Sequence, residues 1–147
     1  MRVQAYAQIN CVVIVFADAQ NLTGTLPAEL SKFPFMQSIG LSWNHFTGTL
    51  PHEYGDMKHL LNLEFHYNDL TGEIPLSYWS AKNLQRLNIG DNMLTGTLPA
   101  DLGSLSDVKG LFVFDNLFTG TLHSDFGRLS VLSKSPLKKR ISFALKI

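Results

Sequence analysis

The sequence lacks several features that mark common classes of protein. It contains one cysteine, Cys11, among 147 residues, which excludes a disulfide within the chain and a zinc site built from cysteines. Only 16% of the residues are charged and 45% are hydrophobic, a composition that argues against a disordered chain. No apolar run approaches the roughly 20 residues that a membrane-spanning helix needs. We therefore expect no integral membrane segment in this chain.

Basic charge is scarce outside the C-terminal segment. Residues 134–147 hold five lysines and arginines and no acid, which leaves 7 basic and 12 acidic residues in residues 1–133. Most of the chain therefore has a net charge of −5. A nucleic-acid-binding domain would present a basic surface instead, so nucleic acid is not an expected partner.

Motifs for catalysis and for phosphate binding are also missing. The sequence has no G-x-x-x-x-G-K-[ST] or G-x-G-x-x-G loop, no G-x-S-x-G turn and no H-E-x-x-H helix. The histidines are spread over different parts of the chain, at His45, His52, His59, His66 and His123. We predict no cofactor, no metal site and no enzyme activity. A hydrolase is the alternative that a turnover screen would reveal.

What the sequence does contain is a repeat of 24 residues. Glycines recur at this spacing, each preceded by threonine, at Gly24, Gly48, Gly72, Gly96 and Gly120. Prolines follow at Pro27, Pro51, Pro75 and Pro99, with His123 in the fifth place. Asparagines share a third position at Asn44, Asn68, Asn92 and Asn116, with Gln20 in the first slot. Periods of this length in one register predict a repeat architecture.

The apolar residues of each period predict a strand. In residues 84–89, Leu87 and Ile89 alternate with polar residues, which is the pattern of a strand with one buried face. Strands that return every 24 residues are predicted to stack as a parallel sheet along one side of a solenoid. The proline and glycine of the return path favour turns and single helical turns over long helices.

The repeated polar residues have predicted structural roles. An asparagine amide can both donate and accept, so a stack of them can satisfy backbone groups where each coil turns away from its strand. We predict such a ladder at Asn44, Asn68, Asn92 and Asn116. The glycines are predicted to allow close backbone approach or a positive φ in each turn.

These motifs resemble the leucine-rich repeat family in its plant-type, 24-residue form. The family pattern L-x-x-L-x-L-x-x-N-x-L-x-G-x-I-P is matched at nearly every defined position in residues 36–51, 60–75 and 84–99. The resemblance implies an α/β fold: a right-handed solenoid with a parallel β-sheet on the concave face and short turns or 3-10 helix on the convex side. A second short sheet near the L-x-G-x-I-P segment is often part of this form.

The resemblance also implies a function in recognition. Receptor-like and polygalacturonase-inhibitor-like ectodomains of this family bind protein, peptide or glycan ligands, which favours an extracellular or cell-surface location. The chain departs from the family pattern at Ala17, Gln20 and His123, and it has no cysteine-paired cap.

The ends of the chain are less regular than its middle. We assign residues 1–132 to the solenoid, with about five coils, and residues 133–147 to a divergent basic C-terminal cap or tail. Residues 1–11 are a lead-in or the start of a signal peptide, since Ala17-Asp18-Ala19 resembles a cleavage site. The alternative for residues 1–19 is a first repeat strand, because Val12 and Val15 fall in the phase of the repeat. We favour the strand.

The strand residues that alternate with the buried ones are predicted to face solvent on the concave side. Exposed aromatic residues there are typical interface anchors. The predicted ligand-binding residues are Trp43, Glu64, His66, Tyr67, Arg86, Asn88, Phe112 and Phe114. For Phe112 and Phe114, packing beneath the C-terminal tail is the alternative.

Threonine columns suggest a second kind of function. Thr-Gly-Thr recurs at Thr23/Thr25, Thr47/Thr49, Thr95/Thr97 and Thr119/Thr121, and Thr71/Glu73 interrupts the series. Stacked in a solenoid, these residues would form two parallel columns, which resemble those of ice-binding solenoids. Threonine also simply suits an extended, half-exposed backbone position.

Overall fold

The structure is a computed structural model that describes residues 12–98 and 108–120. Predictions for residues 1–11, 99–107 and 121–147, including the lead-in, Thr121, His123 and the C-terminal cap, lie outside the described residues. The strands are β1 (Val13–Phe16), β2 (Thr23–Thr25), β3 (Met36–Gly40), β4 (His45–Gly48), β5 (Asn62–Glu64), β6 (Asp69–Gly72), β7 (Arg86–Asn88), β8 (Met93–Leu94) and β9 (Gly110–Phe112).

The larger of two parallel sheets is formed by the apolar strand of each coil. Its order is β1-β3-β5-β7-β9, and the register follows the repeat, so that Leu63 pairs with Ile39 on one side and with Leu87 on the other. β1 pairs with β3 in the same parallel sense, so a strand is present at Val13–Phe16. The predicted solenoid fold class is confirmed.

The smaller sheet is formed by the threonine-glycine segments, in the order β2-β4-β6-β8. Each glycine of this segment has a positive φ, for example 79° at Gly72. A Cβ atom at Gly72 would also lie 2.8 Å from Cγ2 of Thr49 on the preceding coil. Glycine is therefore required both by the backbone conformation and by the close approach of the preceding coil.

The return path on the other side of the coil carries single turns of helix. Two 3-10 helices, Ala28–Lys32 and His52–Asp56, and one α-helix, α1 (Leu76–Trp79), each begin after a proline. Proline fits this position before the first turn, because its fixed φ suits the extended backbone there and its missing N–H costs no helical hydrogen bond. Among the described residues, no helix is long and apolar enough to cross a bilayer.

Two buried tyrosines tie these helical turns together. The Tyr54 hydroxyl donates to the carbonyl oxygen of Pro27 at 2.7 Å, and the Tyr78 hydroxyl donates to that of Pro51 at 3.0 Å. Burial raises the pKa of both hydroxyls well above the ordinary value. These bonds between coils were not expected from the sequence.

The core lies between the larger sheet and the helical turns. In the second to fifth coils the apolar residues of the repeat are buried, each no more than 4% exposed: Met36, Ile39, Leu41, Leu60, Leu63, Phe65, Leu84, Leu87, Ile89, Val108, Leu111 and Val113. In the first coil Val15 is buried, but Val12, in the same phase, is 46% exposed. Burial of one such set per coil holds each coil to its neighbours.

Candidate functional site

The ladder asparagines shape the turn that follows each strand of the larger sheet. The Asn68 side-chain amide donates to the carbonyl oxygens of Leu41 and Phe65, both at 3.0 Å, and its Oδ1 accepts from the Phe46 N–H at 3.0 Å. Corresponding bonds are made at Asn44, Asn92 and Asn116. Each amide thus joins its own turn to the preceding coil.

The residue before each ladder position has a left-handed backbone. We call these residues the turn column: Ala19, Trp43, Tyr67, Asp91 and Asp115, with φ between 49° and 58°. This conformation costs a residue with a Cβ roughly 1–2 kcal/mol. Backbone bonds between coils maintain it, since Asn44 N–H donates to Tyr67 O and Asn68 N–H donates to Asp91 O, both at 3.2 Å.

Two members of the turn column form an exposed aromatic pair. The rings of Trp43 and Tyr67 stack with centroids 3.7 Å apart and an interplanar angle of 18°. Trp43 is 52% exposed and Tyr67 is 42% exposed, although coils continue on both sides of them. The His66 ring meets both edge-on, with centroids 6.1 Å from Trp43 and 5.8 Å from Tyr67. Trp43, His66 and Tyr67 together form what we call the aromatic platform.

A polar network holds the histidine of the platform in place. His66 Nδ1 lies 2.8 Å from Ser42 Oγ and 3.0 Å from Asn88 Nδ2. The Asn88 amide also donates to Glu64 Oε2 at 3.2 Å, and Glu64 Oε1 is paired with Arg86 Nε. An amide nitrogen can only donate, so Nδ1 of His66 is the acceptor and the ring proton is assigned to Nε2.

Two of the predicted site residues do not project into solvent, so that expectation is wrong for them. Asn88 is 7% exposed because its amide is directed at Glu64 and His66. Phe112 is 9% exposed, and the Arg86 guanidinium lies over its ring with Cζ 4.8 Å from the centroid. Both residues support the charged side chains above them rather than offering their own surface.

Phe114 is half-buried for a different reason. Its ring lies directly against Gly90, where a Cβ atom would come within 2.8 Å of two ring atoms. Gly90 follows the end of β7 and leaves a gap there, which the aromatic ring from the next coil fills. Phe114 therefore offers only part of its ring to a partner.

A shallow groove of about 400 Å³ runs beside the aromatic platform. It is lined by Trp43, Asn44, His45, Tyr67, Asn68, Asp69 and Asp91. Sequence reasoning did not select His45, Asp69 or Asp91. A signal was available for Asp91, because it occupies the same repeat position as Trp43 and Tyr67.

The charged form of Asp91 is disfavoured in this groove. Its Oδ2 atom is buried and has no hydrogen-bond partner within the described part of the chain. Burial and the neighbouring Asp115 carboxylate raise the pKa of Asp91 above its ordinary value of 3.8, and His66 acts in the opposite direction. The groove is thus acidic, and among its lining residues Asp69 Oδ2 lies 3.6 Å from His45 Nδ1.

Comparisons with known proteins agree with this geometry. A family model described as Leucine Rich Repeat matches residues 83–105. A chain of the BIR3–SERK2 complex from Arabidopsis thaliana is 28% identical, with a TM-score of 0.77 over 86% of this chain and 68% of that chain. This chain is a plant-type leucine-rich repeat protein.

Other similar structures are much longer leucine-rich repeat ectodomains. The Arabidopsis receptor kinase HAESA, solved with the peptide hormone IDA and the co-receptor SERK1, is 29% identical with a TM-score of 0.70, over 74% of this chain and 18% of that chain. The ectodomain of GASSHO1/SCHENGEN3 from Arabidopsis thaliana, solved with CASPARIAN STRIP INTEGRITY FACTOR 2, is 31% identical with a TM-score of 0.73. The similarity to GASSHO1/SCHENGEN3 covers 79% of this chain and 14% of that chain. No curated protein sequence matches the chain significantly.

The threonines of the leucine-rich repeat have hydrogen bonds of their own. The hydroxyls of Thr47, Thr71 and Thr119 donate to glycine carbonyls of the preceding coil, at 3.2, 3.4 and 3.4 Å. These hydroxyls serve the contact between coils, which weakens the case for an ice-matching surface. Within residues 12–98 and 108–120, no group of histidine, cysteine or acidic side chains could hold a metal ion.

Proposed function

We propose that this leucine-rich repeat protein is a non-enzymatic interaction module that binds a protein or peptide on the concave face of the larger sheet. The observation that carries the proposal is the exposed stack of Trp43 on Tyr67. Two large rings held in solvent at mid-solenoid, on strained backbone, contribute nothing to the core. Aromatic residues of this kind are the usual anchors of protein interfaces, because they bury much area and lose little rotamer entropy.

The surroundings of the stack fit the same function. Glu64 and Arg86 form a charged pair beside the platform, with Arg86 45% exposed in its side chain and Glu64 18%. Such a pair at the rim of an aromatic patch gives polar contacts that orient a ligand. In this proposal Asn88, Phe112 and Phe114 support the site from below.

The similar proteins support a peptide or protein as the ligand. HAESA was solved with the peptide hormone IDA, and the plant receptor RGFR1, 30% identical to this chain with a TM-score of 0.71, was solved with RGF2. A glycan that stacks on the same rings is the alternative ligand. Ice binding and a hydrolase activity are the remaining alternatives. Measurements of thermal hysteresis and of substrate turnover on the purified protein test them.

The proposal is tested by selecting peptides from a random displayed library against the purified chain. Calorimetric titrations then compare the parent with Trp43→Ala and Tyr67→Ala. We expect each substitution to weaken binding by about 1–3 kcal/mol, or roughly 5- to 150-fold in Kd. Leu76→Ala is the matched control, because Leu76 is 80% exposed on α1, away from the larger sheet.

Unchanged affinity in both platform variants, with folding intact, would show that the ligand binds elsewhere. Affinity lost equally in Leu76→Ala would point to a nonspecific hydrophobic surface.

A further inference from the structure

We infer that the groove beside the aromatic platform is a subsite for a cationic side chain of the ligand, a guanidinium or an ammonium group. The inference rests on the proposed function and adds the chemistry of one ligand group to it. Three observations carry it: the order of residues in the turn column, the exposed stack of Trp43 on Tyr67, and the charge of the groove.

The turn column changes from aromatic to acidic along the solenoid. Trp43 and Tyr67 on adjacent coils are followed by Asp91 and Asp115 on the next two. Adjacency is direct, since Asn68 N–H donates to Asp91 O at 3.2 Å and Asn92 N–H donates to Asp115 O at 3.1 Å. Neighbouring coils are about 4.8 Å apart. A flat cation placed against Tyr67 therefore comes within reach of Asp91.

Asp91 places an uncompensated carboxylate beside the aromatic platform. Its Oδ2 atom is buried and out of reach of a ligand, but Asp91 lines the groove and no described lysine or arginine pairs with it. A guanidinium offers a planar fork of donors that matches a carboxylate and can stack on an aromatic ring at the same time. A cation that neutralises the carboxylate would also relieve its repulsion with Asp115.

The charge of the groove selects against other ligand groups. Its lining, drawn from the described residues, contains Asp69 and Asp91 and no lysine or arginine. Arg86 is already engaged by Glu64 and by the Phe112 ring. An anionic ligand group would meet like charge here. A neutral sugar could stack on the rings but would leave the two carboxylates of Asp91 and Asp115 uncompensated.

The test uses two peptides that differ only in charge, Ac-Gly-Arg-Gly-NH2 and its analogue with citrulline, a neutral isostere of arginine. Binding is followed by NMR through the indole N–H signal of Trp43, which is exposed, whereas Trp79 is buried. We expect saturable binding of the arginine peptide with a Kd at least about fivefold below that of the citrulline peptide. Asp91→Asn should abolish this difference and keep the protein folded, since asparagine tolerates the left-handed backbone.

Asp56→Asn, an exposed acid in the 3-10 helix His52–Asp56, is the matched control and should preserve the discrimination. Equal Kd values for the two peptides, no saturable shift with the arginine peptide, or full discrimination in Asp91→Asn would each overturn the inference. Tighter binding of methyl β-D-glucopyranoside than of the arginine peptide would also overturn it, in favour of a glycan. Library peptides that depend on Trp43 and Tyr67, together with equal Kd values here, would leave the proposed function standing and remove only the cation subsite.

Discussion

At the scale of single residues, the platform combines exposure with backbone strain. Trp43 and Tyr67 keep large rings in solvent while their φ angles are 58° and 55°. Neither feature favours folding, and ladder bonds from Asn44 and Asn68 hold the turns of the backbone in place. Strained residues of this kind persist where the surrounding contacts hold the backbone in place, and they are frequent at functional sites.

Two single substitutions of Tyr67 distinguish the effect of losing the ring from the effect of backbone strain. Tyr67→Ala and Tyr67→Gly both remove the ring, but only glycine adopts the positive φ without a steric cost. We expect Tyr67→Gly to be more stable than Tyr67→Ala by about 1 kcal/mol, measured by urea unfolding. At Gln85, in ordinary backbone, the same comparison should favour alanine. A Tyr67→Ala variant at least as stable as Tyr67→Gly would contradict strain at this position.

The raised pKa of Asp91 makes a prediction about pH. Because the folded pKa lies above the ordinary 3.8, the folded state holds the proton more tightly than the unfolded chain, so ionisation of Asp91 destabilises the fold. This destabilisation is absent well below pH 3.8, grows as the pH rises through the folded pKa, and is complete above it. We expect Asp91→Asn to be more stable than the parent at pH 7 and to lose this advantage in acid.

Thermal unfolding of the parent and Asp91→Asn between pH 3 and pH 7 measures the effect. Equal midpoints at neutral pH would show that the Asp91 carboxylate is adequately solvated in the folded protein. A greater stability of the variant would fit a group that is kept for binding at a cost to the fold.

At the scale of elements, the asparagine ladder is the feature whose loss should matter most. Asn68 makes three hydrogen bonds to backbone groups, two of them on the preceding coil. Asn68→Ala leaves these buried groups unsatisfied and should cost about 1–3 kcal/mol. Asn83→Ala is the control, because Asn83 is exposed and bonds to one carbonyl, that of Lys58. Urea midpoints that are equal in the parent and Asn68→Ala would rule out the ladder as a source of stability.

The strands and turns could be predicted from the sequence where the repeat is regular. The side-chain contacts between coils could not. The alternation around Leu87 predicts β7, and the glycine spacing predicts the positive φ of Gly72. Exposure was harder to predict, because alternation places Asn88 and Phe112 on the outer face but does not show what covers them. Burial of both depends on long side chains from the same or neighbouring strands, namely Glu64, His66 and Arg86.

The groove, too, could be predicted only in part. Its aromatic half was predicted from the type of residue, since tryptophan and tyrosine at outward-facing positions are typical interface anchors. Its acidic half was missed because an aspartate in a turn is usually solvated and adapts easily to a left-handed backbone. Only the structure shows that Asp91 has a buried oxygen without a donor.

At the scale of the whole molecule, the coils of a solenoid depend on their neighbours. Among the described residues, each strand of the larger sheet pairs only with the strands of adjacent coils. One coil cannot bury its apolar residues alone, so stability is a sum of terms within coils and terms between neighbours. The middle coil, which carries Tyr67, also holds the two halves of the described solenoid together.

Leu63→Ala tests this dependence. Leu63 is fully buried in β5, between Ile39 and Leu87, and its truncation should lower the free energy of unfolding by about 2–5 kcal/mol. Leu61→Ala is the matched control and should cost less than about 1 kcal/mol, because Leu61 is only partly buried. We expect urea curves from tryptophan fluorescence and from circular dichroism to coincide for both variants, since coils that cannot fold alone unfold together. Curves that separate in Leu63→Ala would show instead that the coils on one side of β5 keep their structure when the middle coil fails.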